Sequence, residues 1–163
     1  MRHLLFFALL CATSLLHAQT TIESDEAHYD GEFIHLTGHV HVVSDMGMVE
    51  AQQARITTLK QDHDKWEATY ILLTGAVKMT NAERSQFALA DKVEIFPQEK
   101  TMVFESLGDE RVLFIDIAKH MQLAAHKIRA ERAQQDTVQG YGDVRFVFGS
   151  EELERLKAQF VWE

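Results

Sequence analysis

Apolar residues recur at every second position over most of the chain. After Gly38 they fall at Val40 and Val42, after Gly75 at Val77 and Met79, and after Gly142 at Val144, Phe146 and Phe148. Val112 and Phe114 follow Gly108 in the same way, and Leu36 and Leu73 stand two residues before their glycines. Successive side chains of a strand point to opposite faces, so this rhythm predicts half-buried strands with one apolar face. The alternate positions are mostly polar: His39 and His41, Lys78 and Thr80, Asp143 and Arg145.

The rhythm is itself repeated. "IHLTGHV" from Ile34 has a near copy in "ILLTGAV" from Ile71, "YGDVRF" starts at Tyr141, and a looser "LGDERVLF" starts at Leu107. Gly38, Gly75, Gly108 and Gly142 are spaced by 37, 33 and 34 residues. A second signal alternates with the first: "SDEAHY" from Ser24, "AQQARI" from Ala51, "ADKVEI" from Ala90 and "AHKIRA" from Ala125. Two signals interleaved at a near-constant period mark a stack of similar units. A glycine opening a strand pattern predicts a bend or bulge. The small-x-x-apolar spacing of Ala51 and Ala54 breaks strict alternation and predicts a second bulge or twist.

Polar breaks separate the apolar stretches: "YDGE" at Tyr29 with the Asp-Gly of a tight hairpin, "SDMG" at Ser44, "KQDHDK" at Lys60, "TNAERSQ" at Thr80 and "FPQEK" at Phe96. The sum is an all-β chain of about nine strands in an antiparallel meander. The tail "SEELERLKAQFVW" has Leu153, Leu156 and Phe160 at helical spacing behind a capping Ser150. "AQFVWE" also reads as a final strand, so helix and strand stay open for residues 150–162.

The first 18 residues have another grammar. Arg2 precedes an apolar run from Leu4 to Leu16, and Ala18 offers a small residue for cleavage. That is the pattern of a secretory signal peptide, and the run is shorter than the roughly 20 residues that span a bilayer. The expected organisation is a cleaved signal peptide over 1–18 and a single β-domain over 19–163, exported to the periplasm. Cys11, the sole cysteine, lies in the apolar run, so the exported chain would have no disulfide. Without Arg2, 15 basic residues face 25 acidic ones, a formal charge of −10. That balance, with no basic cluster, argues against a nucleic-acid partner.

No Gly-x-Ser-x-Gly elbow, His-Glu-x-x-His or phosphate-cradling glycine loop occurs in the sequence. The expectation is a protein without catalytic residues, bound metal or cofactor. His39 and His41 have the spacing of a metal pair with His35 on the same face by parity, and a solvated polar face is the simpler reading.

The stretch "IESDEAHYDGEFIHLTGHVHVVSDMGMVEAQQARI", with "LTGAV" and "LADKVEI" further on, resembles the periplasmic lipopolysaccharide-transport family of LptA or OstA-like proteins. The resemblance covers about Thr21 to Phe148 and weakens where the glycine signal is stretched, at Leu107 to Asp116. It implies an antiparallel β-jellyroll that passes lipopolysaccharide from the inner to the outer membrane along an apolar groove. It also implies partners at both ends, inner-membrane LptC-like and outer-membrane LptD-like components joined by edge-strand pairing, with head-to-tail homo-oligomers as a further possibility. The candidates for the lipid-binding inner face are Leu36, Val40, Val42, Leu73, Val77, Met79, Val112, Phe114, Val144, Phe146 and Phe148. Two other functions fit the pattern: an inner-membrane-anchored LptC-like component, and a structural envelope repeat protein that binds no lipid.

Overall fold

A computed structural model describes residues 21–44, 47–60, 66–132 and 136–149. The expected signal peptide and the helix-or-strand tail lie outside the described residues. The described chain forms twelve strands: β1 (Thr21–Glu23), β2 (Glu26–Tyr29), β3 (Phe33–Ser44), β4 (Gly47–Lys60), β5 (Trp66–Asn81), β6 (Gln86–Phe96), β7 (Thr101–Glu105), β8 (Val112–Asp116), β9 (Met121–Ala125), β10 (Lys127–Arg132), β11 (Asp136–Tyr141) and β12 (Arg145–Phe148). All pairings are antiparallel and belong to one sheet. Twelve rather than about nine are present because four passes of the chain are interrupted midway. These are β1/β2, β7/β8, β9/β10 and β11/β12, whereas β3 to β6 run through unbroken.

The interruptions lie on one line, and along it the sheet folds into two layers. The first layer holds β1, the second half of β3, the first half of β4, the second half of β5, the first half of β6, then β8, β9 and β12. The other layer holds β2, the remaining halves of β3 to β6, then β7, β10 and β11. Their inner faces share one core that includes Val49, Met79, Val112 and Leu123 from the first layer and Val93, Phe104 and Ile128 from the second.

The fold line accounts for both repeat signals. Gly38 and His39 have φ of +74° and +44°, Gly75 and Ala76 +83° and +46°, and Gly142 and Asp143 +73° and +49°. The register shifts between Thr37 and Val40 and between Thr74 and Val77, so the predicted bulges are present. Two consecutive left-handed residues turn the strand from one layer into the other, and an L-residue at the first of them would be strained. The second residue of each hexad sits on the neighbouring glycine. A Cβ on Gly38 would lie 2.8 Å from Asp25 Cβ, one on Gly75 2.7 Å from Gln52 Cβ, and one on Gly142 3.2 Å from His126 Cβ. Asp91 takes the fourth place, where its Oδ2 accepts the Leu107 amide at 2.8 Å. Glycine is therefore required opposite three of the hexads, where the adjacent pass lies against it, whereas a Cβ on Gly108 would meet nothing within 4 Å and the bend expected there is not marked by a left-handed glycine.

The small-x-x-apolar spacing follows from the same fold. Ala51 and Ala54 are both buried in the core, and so are Ala125 and Ile128. The inner face continues across the corner only if two intervening residues are spent there, which the register shift between Glu50 and Gln53 records. The Asp30–Gly31 hairpin also forms as expected. Asp30 Oδ1 accepts the Glu32 and Phe33 amides at 3.1 and 2.9 Å, which hold its carboxyl below the usual range.

Candidate functional site: an apolar slot with two open ends

The slot between the layers is built by the alternating residues. Leu36, Val40, Val42, Leu73, Val77, Met79, Val112 and Phe114 all point into it, and none is more than 5% exposed. Along this length the layers meet through their own side chains and the slot is filled. At the rim of the first layer the inner face turns polar. Gln86 Nε2 donates to Asp116 Oδ2 at 3.0 Å, and Asn81 Oδ1 accepts the Ser85 and Gln86 amides at 2.8 and 3.1 Å.

Val144, Phe146 and Phe148 behave differently. Phe146 stands opposite the buried Leu123, and Phe148 opposite Met121, so both point to the inner side. Yet they are 48% and 72% exposed, and Val144 is 45% exposed. Within the described residues β12 pairs only with β9, so nothing described covers its inner side beyond that strand. The two phenyl rings stack on each other at 6.1 Å, nearly parallel. They form an apolar mouth at the β11–β12 end. Just inside it the layers come close: a Cβ on Gly140 of β11 would lie 3.1 Å from Leu123 Cδ1 and 3.4 Å from Val144 Cγ1. Arg111 Nε donates to Asp143 Oδ2 at 2.9 Å, holding the Asp143 carboxyl below its usual range and fixing the corner that leads into β12.

The other end is open in the same sense. Ile22 stands opposite Val42 and Tyr29 opposite Ile34, so both point inward from the outermost strands β1 and β2. They are 40% and 49% exposed. Neither was among the candidates named from sequence: parity counted back from Leu36 reaches Ile22 but not Tyr29, because the hairpin shifts the inward residues of β2 to odd positions. Among the described residues the apolar inner face thus runs from one outermost pair of strands to the other and ends in exposed side chains at both.

The histidine row does not form as parity suggests. His39 occupies the left-handed corner, where its Nδ1 pairs with Asp25 Oδ2 at 2.7 Å. His41 lies 3.9 Å from Glu23 and His35 3.5 Å from Asp30. Each histidine thus faces its own carboxylate, stitching the N-terminal strands to β3. Among the described residues no group of three or more His, Cys, Asp or Glu side chains is placed to hold a metal.

A charged ladder braces the outer face of the second layer. Lys92 lies 3.0 Å from Glu105 and 3.2 Å from Glu94, and Lys127 lies 3.3 Å from Glu105. The Tyr70 hydroxyl donates to Glu94 Oε1 at 2.7 Å. The hydrogen bond from Lys92 holds Glu105 below the usual carboxylate range, and the one from Tyr70 does the same for Glu94. Lys92 is raised by its bond to Glu105, and burial with the Glu94 bond pushes Tyr70 up to about 12. The depressed carboxylates contribute stability above an unfolded value of 4.5, and this is lost as pH falls through their folded values. The raised Lys92 and Tyr70 contribute stability below 10.5 and 10.0, lost as pH rises. Urea midpoints should therefore fall on both sides of a plateau, and Glu105→Gln should flatten the acid limb by less than about 1 kcal/mol, because the pairs are partly solvated. Identical acid limbs in the two proteins would remove this ladder from the stability of the sheet.

No family model and no curated protein matches the sequence. Among solved structures the chain is similar to LptH of Pseudomonas aeruginosa, described as the LptA-homologous periplasmic component of the conserved lipopolysaccharide transport device. The TM-score is 0.62 at 13% identity, over 81% of this chain and 96% of that one. The twisted, open, antiparallel architecture described above is the LptA-like β-jellyroll fold.

Proposed function

We propose that this chain is a periplasmic lipopolysaccharide carrier, exported by a signal peptide over 1–18, that bridges inner- and outer-membrane components without doing chemistry of its own. The observation that carries the proposal is the continuity of the apolar inner face into exposed residues at both ends. Ile22 and Tyr29 mark one end, and Val144, Phe146 and Phe148 the other. An inner face that ends in water is completed by another sheet of the same kind. Within the described residues β1, β2, β11 and β12 each pair with one strand only, and edge strands of this kind can accept another by strand addition. LptC-like and LptD-like partners, or a second copy, would extend the slot and cover its mouths.

The energetics favour partial cover of the cargo. Each buried methylene contributes roughly 0.8 kcal/mol, so one acyl chain of about 14 carbons contributes on the order of 10 kcal/mol. A slot that swallowed several chains would retain them. A filled interior with apolar mouths suits handing over better than storage, with acyl chains entering as the layers part.

A photo-crosslinker at Phe146 or Phe148 should capture lipopolysaccharide, and one at Val77 should do so when the layers open. Capture from the outer-face Lys78 alone would sink the slot assignment. The filled core supports a second reading, a structural envelope repeat that assembles by its edges and binds no lipid. Mass spectrometry of lipid extracted from the purified exported protein separates the two. An N-terminal mass beginning near Gln19 would exclude an uncleaved LptC-like anchor.

A further inference from the structure

The polar rim of the first layer carries one group that its own chain leaves unused. Gln86 opens β6 and lies on the inner face, two positions before Ala88 of the core. It stands opposite Asp116, Asp116 opposite Met121, and Met121 opposite Phe148 of the mouth. Gln86 and Asp116 are 3% and 2% exposed, so this is a polar pair set into an otherwise apolar inner face.

The pair has one arrangement. Asp116 Oδ1 accepts the Lys119 amide at 3.0 Å, and Asp116 Oδ2 accepts Gln86 Nε2 at 3.0 Å. Turning the Gln86 amide over would set its oxygen against the carboxylate, two acceptors facing each other, so Asp116 fixes which way it points. Gln86 Oε1 is then a buried acceptor with no donor among the described residues. The nearby side-chain amide of Asn81 is already engaged, since its Nδ2 donates to Ser85 Oγ at 2.8 Å. A buried carbonyl in this position is costly until a donor reaches it.

The level of Gln86 in the slot points to the donor. The next inner row, Ala88, Phe114, Leu123 and Phe146, is wholly apolar and lies about 7 Å further along the strands. A lipid with its tail among those residues and its head in water changes from apolar to polar at the row of Gln86 and Asp116. On the carrier reading above, we propose that Gln86 Oε1 accepts a hydrogen bond from the head end of an acyl chain, given by an amide N–H or a chain hydroxyl, once the layers part. Gln86 thereby sets the selectivity of the slot. An acyl chain joined through an amide, or hydroxylated near its head, brings a donor to this row. An ester-linked chain without a hydroxyl brings only acceptors, which meet the Gln86 carbonyl and the Asp116 carboxylate unpaired. Ordinary diacyl phospholipids are of the second kind and are disfavoured by the same row that favours the first.

The test compares two probes with the same sugar-phosphate head and the same length of tail. One is a β-hydroxytetradecanoyl amide and the other a plain tetradecanoyl ester. The purified protein should bind the amide about 10-fold more tightly than the ester. Gln86→Met keeps the length of the side chain and removes the acceptor. It should weaken the amide probe alone and bring the ratio to about unity. Equal affinities in the unsubstituted protein, or an unchanged ratio in a folded Gln86→Met protein, would overturn the proposal and leave the carrier reading standing. Binding of neither probe would overturn both. If Gln86→Met does not fold, the NMR shift of the Gln86 side-chain carbonyl carbon in the unsubstituted protein decides. A response to the amide probe alone supports the hydrogen bond, and the same response to both probes overturns it.

Discussion

Val77→Asp is expected to lower the free energy of unfolding by about 4–5 kcal/mol, an effect reserved for a few mechanisms that include an unpaired buried charge. Val77 is 1% exposed in the shared core, opposite Ala90 and with no polar partner in its row. The substituted carboxyl is close to valine in size, so the cost comes from desolvation with little contribution from a cavity. A small domain has only about 5–15 kcal/mol in total, so the urea midpoint should fall by between about a third and nearly the whole of its wild-type value. The loss should shrink in acid, because burial raises the folded pKa of the new aspartate. Its neutral form is present below the unfolded value, and the penalty grows as pH rises above it. Phe148→Asp is the matched comparison. Phe148 is 72% exposed at the mouth, and its substitution should change the free energy of unfolding by no more than about 0.5 kcal/mol. If both variants lost equal stability, the mouth would be core and the open-ended slot would be wrong. The pair also guards the lipid assay, since loss of capture by Val77→Asp says nothing unless the protein is folded, whereas loss by Phe148→Asp does.

Gly75→Ala is expected to cost about 2–4 kcal/mol, roughly half from the left-handed backbone and half from collision. Gly75 has φ +83°, and its added Cβ would lie 2.7 Å from the Cβ of Gln52. The position of the collision makes the rescue specific. Gln52→Ala removes Oε1 and Cδ, which can swing aside, but keeps the Cβ and should restore little. Gln52→Gly removes it and should recover about 1–2 kcal/mol of the loss in a double-mutant cycle, beyond the 0.5–1 kcal/mol that a strand glycine itself costs. Equal rescue by alanine and glycine would mean that the corner is not set by contact between these two passes. Gly31→Ala serves as reference. Gly31 also has positive φ, but its Cβ would meet nothing within 4 Å, so only the conformational part should appear.

Much of this architecture can be read from the chain because the repeat is written in residues with few alternatives. Glycine at 38, 75 and 142 and a small residue at 51, 90 and 125 mark the corner from its two sides, and the rhythm around them finds the inner face from Leu36 to Phe114. What failed to show was decided by neighbours. Val144, Phe146 and Phe148 carry the same pattern as Val77 and Met79, yet exposure depends on whether another strand lies beyond β12, which no local pattern records. The histidine row failed for a local reason. Parity counts only in extended backbone, and His39 sits at φ +44°. Phe87 and Ile115, buried on the outer face of the first layer, also have a mark in the sequence. "FALA" and "VLFID" are apolar at odd and even positions alike, the mark of strands covered on both faces.

The corner has one further consequence. The glycine passes at Gly38, Gly75 and Gly142 carry their own bend and meet a hexad pass through the same contact, so the spine behaves like a ruler whose divisions are marked at those corners. A single residue inserted inside β5 would reverse the faces of everything beyond it in that strand. A whole division inserted at a corner would leave every existing neighbour in register. The bore of the slot is fixed by the bend, and its length by the number of divisions, so the two can change independently.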